Sequence, residues 1–432
     1  MSEALLIILP FVLLFLFLAY GMPVAFSLGI AGFVSLAIGF GLPVALGYVQ
    51  VTPYRQAAHY SMGALPLYLL MGYIASRSRM THGLFDAAYA WVGHLRGGLA
   101  HATIIAGAVF AACSGSSIAS AAVLAPVVMP QMERFKYDKK LALGTIAAAG
   151  TLAVMIPPSL VFIAYSLLTE VSVGKLFIAG IVPGILSAVM FMLSVYIRVR
   201  MNPSLAPPAQ SFTLREKFTS LWEVIPIGIL VFIVLGGIYL GVMTPTESGA
   251  VGACGGIVIG FVKRQLNMKG VMESMIETVR ATAMIFFVII GAFIFGYAMT
   301  LAQVPDVLVA FFSGLPFGRW VVMGLILIVY LFLGCLMDTL AMICITVPIV
   351  FPVIVALGFD PVWFGIILTK TVELGLVTPP VGLNVYVIQA ATKEPLTKVF
   401  AGCFPFVYTD LITLLLLVAF PQISLFLVGM MN

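Results

Sequence analysis

The chain of 432 residues is 62% apolar and only 9% charged, and its mean hydropathy is +1.18. Soluble domains are roughly 45–50% apolar and about 25% charged. A chain of this size could not hide so much apolar surface from water, which excludes an ordinary soluble enzyme, a secreted domain and a disordered chain. The composition predicts an all-α polytopic membrane protein, since spanning helices need about 20 apolar residues each.

Apolar segments follow one another along the whole chain, and two in each half are interrupted. Residues 98–131 and 320–354 carry small polar residues near their middles, and each arm, at about 22 Å of helix, is short for a bilayer core. These segments predict two re-entrant helical hairpins. Residues 139–168 and 363–390 each contain a Pro-Pro dipeptide, which predicts two broken helices. The other apolar segments are 4–20, 23–40, 62–76, 174–197, 223–241, 248–262, 279–302 and 400–428.

Prolines and several other residues recur at an offset of 222 residues, which indicates duplication. We expect a first repeat at 1–200 and a second repeat at 221–432. The proline-rich, charged segment 201–220 is predicted to be a cytoplasmic linker. The matched residues are Pro23 with Pro245, Cys113 with Cys335, Pro126 with Pro348, Pro130 with Pro352, Asp138 with Asp360, Pro157-Pro158 with Pro379-Pro380, and Pro183 with Pro405.

The basic residues predict how the two repeats lie in the membrane. If each half has five crossings plus one hairpin, most of the 21 lysines and arginines fall in loops on one side. The positive-inside rule places these loops in the cytoplasm and both termini in the periplasm. An odd number of crossings makes the halves inverted repeats. The basic loops are 77–96, 133–140, 198–217, 263–280 and 393–398.

Polar residues that lipid does not tolerate collect at the interruptions. Inverted-repeat transporters place substrate and ion sites at such breaks, near the membrane midplane. The first set joins the hairpin tip 114–117 to Gly150, Thr151 and the break at 157–159. Its hydroxyls and unwound carbonyls are hard oxygen donors that suit a small cation. A tip serine has the alternative role of capping the second arm of the hairpin.

The second set joins the tip 337–339 to Glu373, the break at 378–380 and Asn384. Asp338 holds the place in the second repeat that a tip serine holds in the first. An aspartate in the apolar core costs on the order of 3 kcal/mol, so it needs a partner. A cation is the natural partner, and an N-cap role is the alternative.

Lys370 lies three residues before Glu373 on one helix face. One interpretation is that the two side chains pair with each other, and the other is that Lys370 faces an anionic substrate. We expect Asp410 to lie near enough to a helix end to be hydrated, and we assign it no role. The histidines show no metal-ligand spacing and no phosphate-binding loop is present, so we expect no transition metal, no direct ATP use and no nucleic acid.

The motifs at the breaks resemble those of a known family, and the resemblance covers the whole chain. They are similar to the large membrane (M) subunit of tripartite ATP-independent periplasmic (TRAP) transporters. Any one motif alone would be weak, but together they are specific. The motifs are Ser114-Gly115-Ser116-Ser117, 144–152, Ile156-Pro157-Pro158-Ser159, Met337-Asp338, Glu373-Leu374-Gly375 and 378–384.

The resemblance implies sodium-coupled import of a small organic acid, such as a C4-dicarboxylate or sialic acid, across the bacterial inner membrane by an elevator mechanism. It implies Na⁺ as coupling ion, no organic cofactor and no enzymatic activity. It also implies a periplasmic substrate-binding (P) protein and a small four-helix membrane (Q) subunit, which we expect to be a separate polypeptide. The residues expected to bind sodium are Ser116, Ser117, Gly150, Thr151, Pro157, Asp338, Thr339, Gly375, Thr378 and Pro379, and those expected to bind substrate are Ser114, Ser159, Lys370, Glu373 and Asn384.

Three other functions are compatible with a polytopic membrane protein. A stand-alone ion-coupled anion exchanger would need no binding protein. A membrane enzyme, such as an isoprenoid transferase, would need clustered aspartate pairs to hold a metal-pyrophosphate, whereas Asp338 stands alone in the sequence. A structural scaffold would give no reason for an intramembrane aspartate at a duplicated break.

Overall fold

The computed structural model contains helices and no strands within the residues that it describes, which are 3–78, 80–207, 211–314, 316 and 318–431. Three 3₁₀ segments, Tyr60–Gly63, Pro203–Leu205 and Val428–Met430, accompany the α-helices. The α-helices are α1 Glu3–Ala19, α2 Val24–Phe40, α3 Leu42–Ala57, α4 Ala64–Arg77, α5 Met80–Val92, α6 Gly98–Ser114, α7 Ser117–Arg134, α8 Lys139–Met155, α9 Leu160–Thr169, α10 Val173–Met201, α11 Leu214–Tyr239, α12 Pro245–Val262, α13 Met268–Leu301, α14 Val304–Ser313, α15 Arg319–Leu336, α16 Thr339–Ala356, α17 Pro361–Gly375, α18 Leu383–Thr392, α19 Leu396–Ala419 and α20 Gln422–Leu425.

Within that part of the chain, eight helical stretches are long and apolar enough to cross a membrane. They include Lys139–Thr169, which combines α8 with α9, and the 34-residue helix α13. Shorter apolar helices, among them α2 and α6, add to this set. The predicted all-α polytopic membrane fold is therefore confirmed.

Helix breaks occur at all four predicted interruptions. Gly115 and Ser116 separate α6 from α7, and Met337 and Asp338 separate α15 from α16. The two Pro-Pro dipeptides separate α8 from α9 and α17 from α18. The sequence therefore located the breaks correctly, while the re-entrant course of the two hairpins and the inverted orientation of the halves stay predictions.

Three helices, α3, α5 and α14, lie outside the predicted apolar segments. Helix α3 contains polar residues, including Arg55, which dilute the apolar signal, and α5 and α14 are short. Helix α11 begins at Leu214, inside the segment predicted to be a linker. Helix α19 ends at Ala419, so the predicted apolar segment 400–428 combines this helix with a short terminal turn region.

Two aspartates that match at the 222-residue offset each cap the start of a helix. Asp138 caps α8 by accepting a hydrogen bond from Leu141 N at 2.9 Å, and Asp360 caps α17 by accepting one from Trp363 N at 2.8 Å. Aspartate at an N-cap satisfies one of the backbone N–H groups that a helix start leaves without a partner. The duplication therefore extends from the proline pattern to the local chemistry that begins each broken helix.

The helices form two groups. Helix α8 is buried from Leu141 to Met155 and lies at the centre of the first group, in contact with α6, α7, α10 and α19. In the second group, α2 packs along α13 and α4 along α12. Gly32 permits the close contact of α2 with α13, because a Cβ there would lie 2.7 Å from Phe295 N. Contacts of α4 with α6 and of α13 with α16 join the groups.

Candidate ion and substrate site

The tip between α6 and α7 lies against the break between α8 and α9. Gly115 has φ of +62°, and its carbonyl accepts a hydrogen bond from Leu160 N at 3.3 Å. A Cβ on Gly115 would lie 2.7 Å from the carbonyl oxygen of Pro158, so glycine is what lets the tip approach this closely. Ser116 caps α7 by accepting from Ala119 N at 3.4 Å. Ser116 therefore has the predicted capping role, and this hydrogen bond does not prevent its hydroxyl oxygen from also binding a cation.

The tip between α15 and α16 contacts the second break in the corresponding way. The Cys335 carbonyl accepts hydrogen bonds from Val381 N at 3.2 Å and from Gly382 N at 3.4 Å. Gly382 holds the same place in the repeat as the donor of the first contact. Asp338 caps α16 by accepting from Leu340 N at 3.1 Å. We call these two contacts the first and second junctions. Each joins a tip to a break, although the second acceptor, Cys335, lies two residues before the position that matches Gly115.

The two junctions differ in exposure. At the second junction, Thr339 and Gly375 are buried, Asp338 and Thr378 are half-buried, and Pro379 is exposed. Among the predicted site residues at the first junction, Ser116 alone is half-buried. The buried residues there are Ser114, Ser117, Gly150, Thr151, Pro157 and Ser159.

Two residues that the sequence groups with the second tip contact the first junction instead. Asn384 on α18 donates through Nδ2 to the Ser117 hydroxyl on α7. The Glu373 carboxylate on α17 adjoins the Thr151 side chain on α8. Thr151 and Glu373 are themselves a matched pair at the 222-residue offset. The second half of the chain therefore contributes side chains to the first junction, which the predicted grouping by halves did not include.

Four buried side-chain oxygens around the first junction have no hydrogen-bond partner. They are Ser120 Oγ, Ser159 Oγ, Asn384 Oδ1 and Glu373 Oε1. All four residues are inaccessible to solvent. A buried polar group without a partner costs about 1–3 kcal/mol, so such oxygens call for a ligand or water. Hydroxyl, amide and carboxylate oxygens are hard donors that fit Na⁺, and the hydroxyl and amide groups among them can also contact a polar substrate.

Lys370 lies at the centre of a fully buried polar cluster. Its ammonium donates to Ser187 Oγ at 2.9 Å, to Glu373 Oε2 at 3.2 Å and to Asp410 Oδ1. The ring of Phe191 covers it, with 5.4 Å between Nζ and the ring centroid. The cluster joins α10, α17 and α19. Because an ammonium has three protons, all its donors are used.

This cluster bears on both interpretations of Lys370. The predicted pair with Glu373 is present, and the ammonium has no donor left for a substrate carboxylate. The substrate role of Lys370 stays a prediction, and this geometry disfavours it. The prediction that Asp410 is hydrated is wrong, since the residue is 1% exposed and pairs with Lys370. Its position inside the apolar helix α19 was the available signal, since intramembrane acids normally need a partner.

These observations define a polytopic α-helical membrane protein whose buried core carries polar, broken helices. The family model described as the tripartite ATP-independent periplasmic transporter, DctM component, matches residues 11–423. The chain therefore belongs to this transporter family as its large permease component. The resemblance seen in the motifs is confirmed, and the chain is a transporter rather than an enzyme.

Curated relatives cover nearly the same length. The C4-dicarboxylate TRAP transporter large permease protein DctM of Pseudomonas aeruginosa is 37% identical over 92% of this chain and 93% of its own. The sialic acid permease SiaM of Vibrio cholerae is 32% identical, with coverage of 94% and 95%. The isethionate permease DctMQ of Oleidesulfovibrio alaskensis is 33% identical over 96% of this chain and 65% of its own length.

A solved structure shares the fold. The YdaH transporter of Alcanivorax borkumensis, described as having an unusual topology, has a TM-score of 0.63 and 17% sequence identity. The match covers 88% of this chain and 89% of that one. At this identity, the likeness concerns the fold alone.

Proposed function

We propose that this chain catalyses sodium-coupled import of a small organic acid across the bacterial inner membrane. The relatives are named for C4-dicarboxylates, sialic acid and isethionate, which share a small size and an acidic group. Isethionate is a sulfonate, whereas C4-dicarboxylates and sialic acid are carboxylates, as in most of these relatives; the proposed substrate is a small organic acid of the carboxylate class. The chain belongs to a transporter family, so transport itself is not the proposal. The coupling ion, the substrate class and the mechanism are what we propose.

The observation that carries the sodium proposal is the doubled tip-to-break junction. Each junction brings a helix start, unwound backbone and side-chain oxygens together, which is how broken helices in secondary transporters hold substrates and coupling ions. The first junction has neutral hydroxyl ligands, and the second contains the Asp338 carboxylate. We propose Na⁺ sites at both, with the sodium ligands as the sequence motifs assign them. Ser114, Ser159 and Asn384 remain the proposed substrate contacts.

The unequal exposure of the junctions supports alternating access. Break residues Pro157 and Pro158 are buried, whereas their matches Pro379 and Pro380 are exposed. In a pair of inverted repeats, the two junctions can exchange their buried and exposed environments. That exchange converts a state open to one side of the membrane into a state open to the other side. We propose that the helix group around α8 moves against the group of α2, α4, α12 and α13 as an elevator, carrying both junctions.

The family is tripartite, so partners belong to the proposal. We propose that a small four-helix membrane subunit completes the transporter and that a periplasmic binding protein delivers the acid. The greater length of the relative named DctMQ is compatible with a second membrane component in that protein. Both termini of this chain are proposed to be periplasmic, which follows from the cytoplasmic placement of the basic loops.

Uptake into proteoliposomes tests this function. Vesicles containing this chain and its small membrane subunit are given radiolabelled succinate, a C4-dicarboxylate, or sialic acid, with the periplasmic protein that binds the same acid. We expect uptake that requires both that protein and an inward Na⁺ gradient. Uptake without the binding protein would instead identify a stand-alone anion transporter, and uptake driven equally by a proton gradient would contradict sodium coupling.

A further inference from the structure

The two proposed cation sites are unequal in charge. Asp338 places a carboxylate at the second junction, whereas the five predicted ligands at the first are serines, a threonine, a glycine and a proline. A cation buried among neutral oxygens needs a nearby negative charge, because its transfer from water is otherwise expensive. The charged groups on the helices around the first junction therefore determine whether a cation can stay there.

Glu373 is the carboxylate nearest to that junction, and one of its oxygens is free. Oε2 accepts from Lys370, and Oε1 has no hydrogen-bond partner. The neighbouring Thr151 hydroxyl donates its proton to the Ala148 carbonyl at 2.9 Å. The same hydroxyl lies within hydrogen-bonding reach of the Glu373 carboxylate, and its single proton cannot serve both acceptors at this fully buried position. A bound cation resolves this arrangement.

Lys370 does not cancel the charge of Glu373, because Asp410 already pairs with it. The ammonium contacts Asp410 as well as Glu373, the latter at 3.2 Å. Ser187 takes the third ammonium proton and adds no charge. One ammonium facing two carboxylates leaves one negative charge in the cluster. Glu373 Oε1 and Asp410 Oδ2 both lack a hydrogen-bond partner, and of the two residues Glu373 is the one beside Thr151 at the first junction.

We propose that Glu373 is a cation ligand that supplies the negative charge of the first junction, through its free oxygen and together with Thr151. Lys370 and Asp410 are positioning residues: Asp410 holds the ammonium, and the ammonium fixes the carboxylate of Glu373. This inference rests on the proposed sodium coupling, and it replaces the predicted substrate role of Glu373 by an ion-binding role.

Sodium-dependent thermal stability of the purified full-length chain tests the proposal. Unfolding midpoints are measured across a Na⁺ titration, with choline chloride keeping the ionic strength constant. Glu373→Gln keeps the shape of the side chain and removes its charge, and we expect it to weaken the apparent Na⁺ affinity about tenfold or more. Glu247→Gln, which alters an exposed helix-capping carboxylate, is the matched control and should leave the affinity unchanged.

Asp410→Asn provides a second test that does not touch the junction. With this change, Lys370 and Glu373 become a neutral pair, so the apparent Na⁺ affinity should fall as in Glu373→Gln. A purely structural role of Asp410 would instead lower the midpoint equally in sodium and in choline. This variant also keeps the proposal testable if Glu373→Gln cannot be purified.

The outcomes separate this proposal from sodium coupling itself. If wild type gains no stability from Na⁺, the proposed coupling ion fails, and this inference fails with it. If wild type responds to Na⁺, Ser116→Ala loses the response and Glu373→Gln keeps it in full, only the role of Glu373 is overturned. That second result would mean that Glu373 holds a proton, since glutamine mimics a protonated carboxyl group.

Discussion

Replacing Lys370 by methionine removes the only cation from the buried cluster. The variant keeps a long apolar side chain, so the main change is the loss of charge and of three hydrogen bonds. Two carboxylates then face each other in a site with no access to water. Removing one partner of a buried ion pair costs about 3–5 kcal/mol, and we expect a loss of unfolding free energy in that range.

A neutral triple variant distinguishes charge from packing. Lys370→Met combined with Glu373→Gln and Asp410→Asn removes all three charges and keeps similar volumes. Because neutral replacements of buried ion pairs are often harmless, we expect the triple variant to recover most of the stability that the single change loses. The effects of the three changes must therefore be strongly non-additive, as expected for residues in one network.

Unfolding by SDS in mixed micelles, in sodium-free choline buffer, measures these free energies. Lys269→Met is the control, since Lys269 is exposed on α13, and it should change the unfolding free energy little. The reasoning is refuted if Lys370→Met is as stable as the control variant. It is also refuted if the triple variant is as unstable as the single one, because packing rather than charge would then hold the cluster.

Two further predictions concern helix packing and an exposed ion pair before the start of α19. Gly375→Ala should lower the unfolding free energy by about 1–3 kcal/mol, because its Cβ would lie 2.5 Å from the carbonyl carbon of Gly334. Gly228→Ala is the control and should not destabilise, since no atom lies within 4 Å of its Cβ. Equal unfolding midpoints for the two variants would contradict this packing. The bond from Lys139 is the main cause that lowers the pKa of Glu394 below its ordinary value of 4.5. The stabilisation from Glu394 should therefore be complete above pH 4.5, the ordinary pKa, and should disappear as the pH falls through the lowered pKa of the folded state. An acid titration of the unfolding midpoint in which Glu394→Gln matches wild type at every pH would refute this.

The parts of the fold that could be predicted are those with a local cause. The Pro-Pro dipeptides and the polar residues at the two tips interrupt long apolar segments, so all four breaks were visible in the sequence. Single prolines do not have this effect here, since Pro126 and Pro183 lie inside helices. The 222-residue offset also paired the caps Asp138 and Asp360 correctly. Helices α3, α5 and α14 were missed because polar residues or short length hide them from a search for long apolar segments.

The parts of the site that could not be predicted depend on contacts between distant helices. Asn384 and Glu373 follow the second tip in sequence, yet they complete the first junction through Ser117 and Thr151. Nothing in a linear pattern fixes which tip a helix will face. Asp410 is different, because its place within an apolar helix was a usable signal and hydration was the wrong explanation for it.

Sodium binding at both junctions is the central proposal for this protein. Equilibrium binding of radioactive sodium to the purified chain tests it directly, with wild type, Ser116→Ala, Asp338→Ala and the double variant compared at equal ionic strength. We expect each single variant to bind fewer sodium ions per chain than wild type, and the double variant to bind fewer than either. Binding by the double variant that equals wild type would contradict the claim.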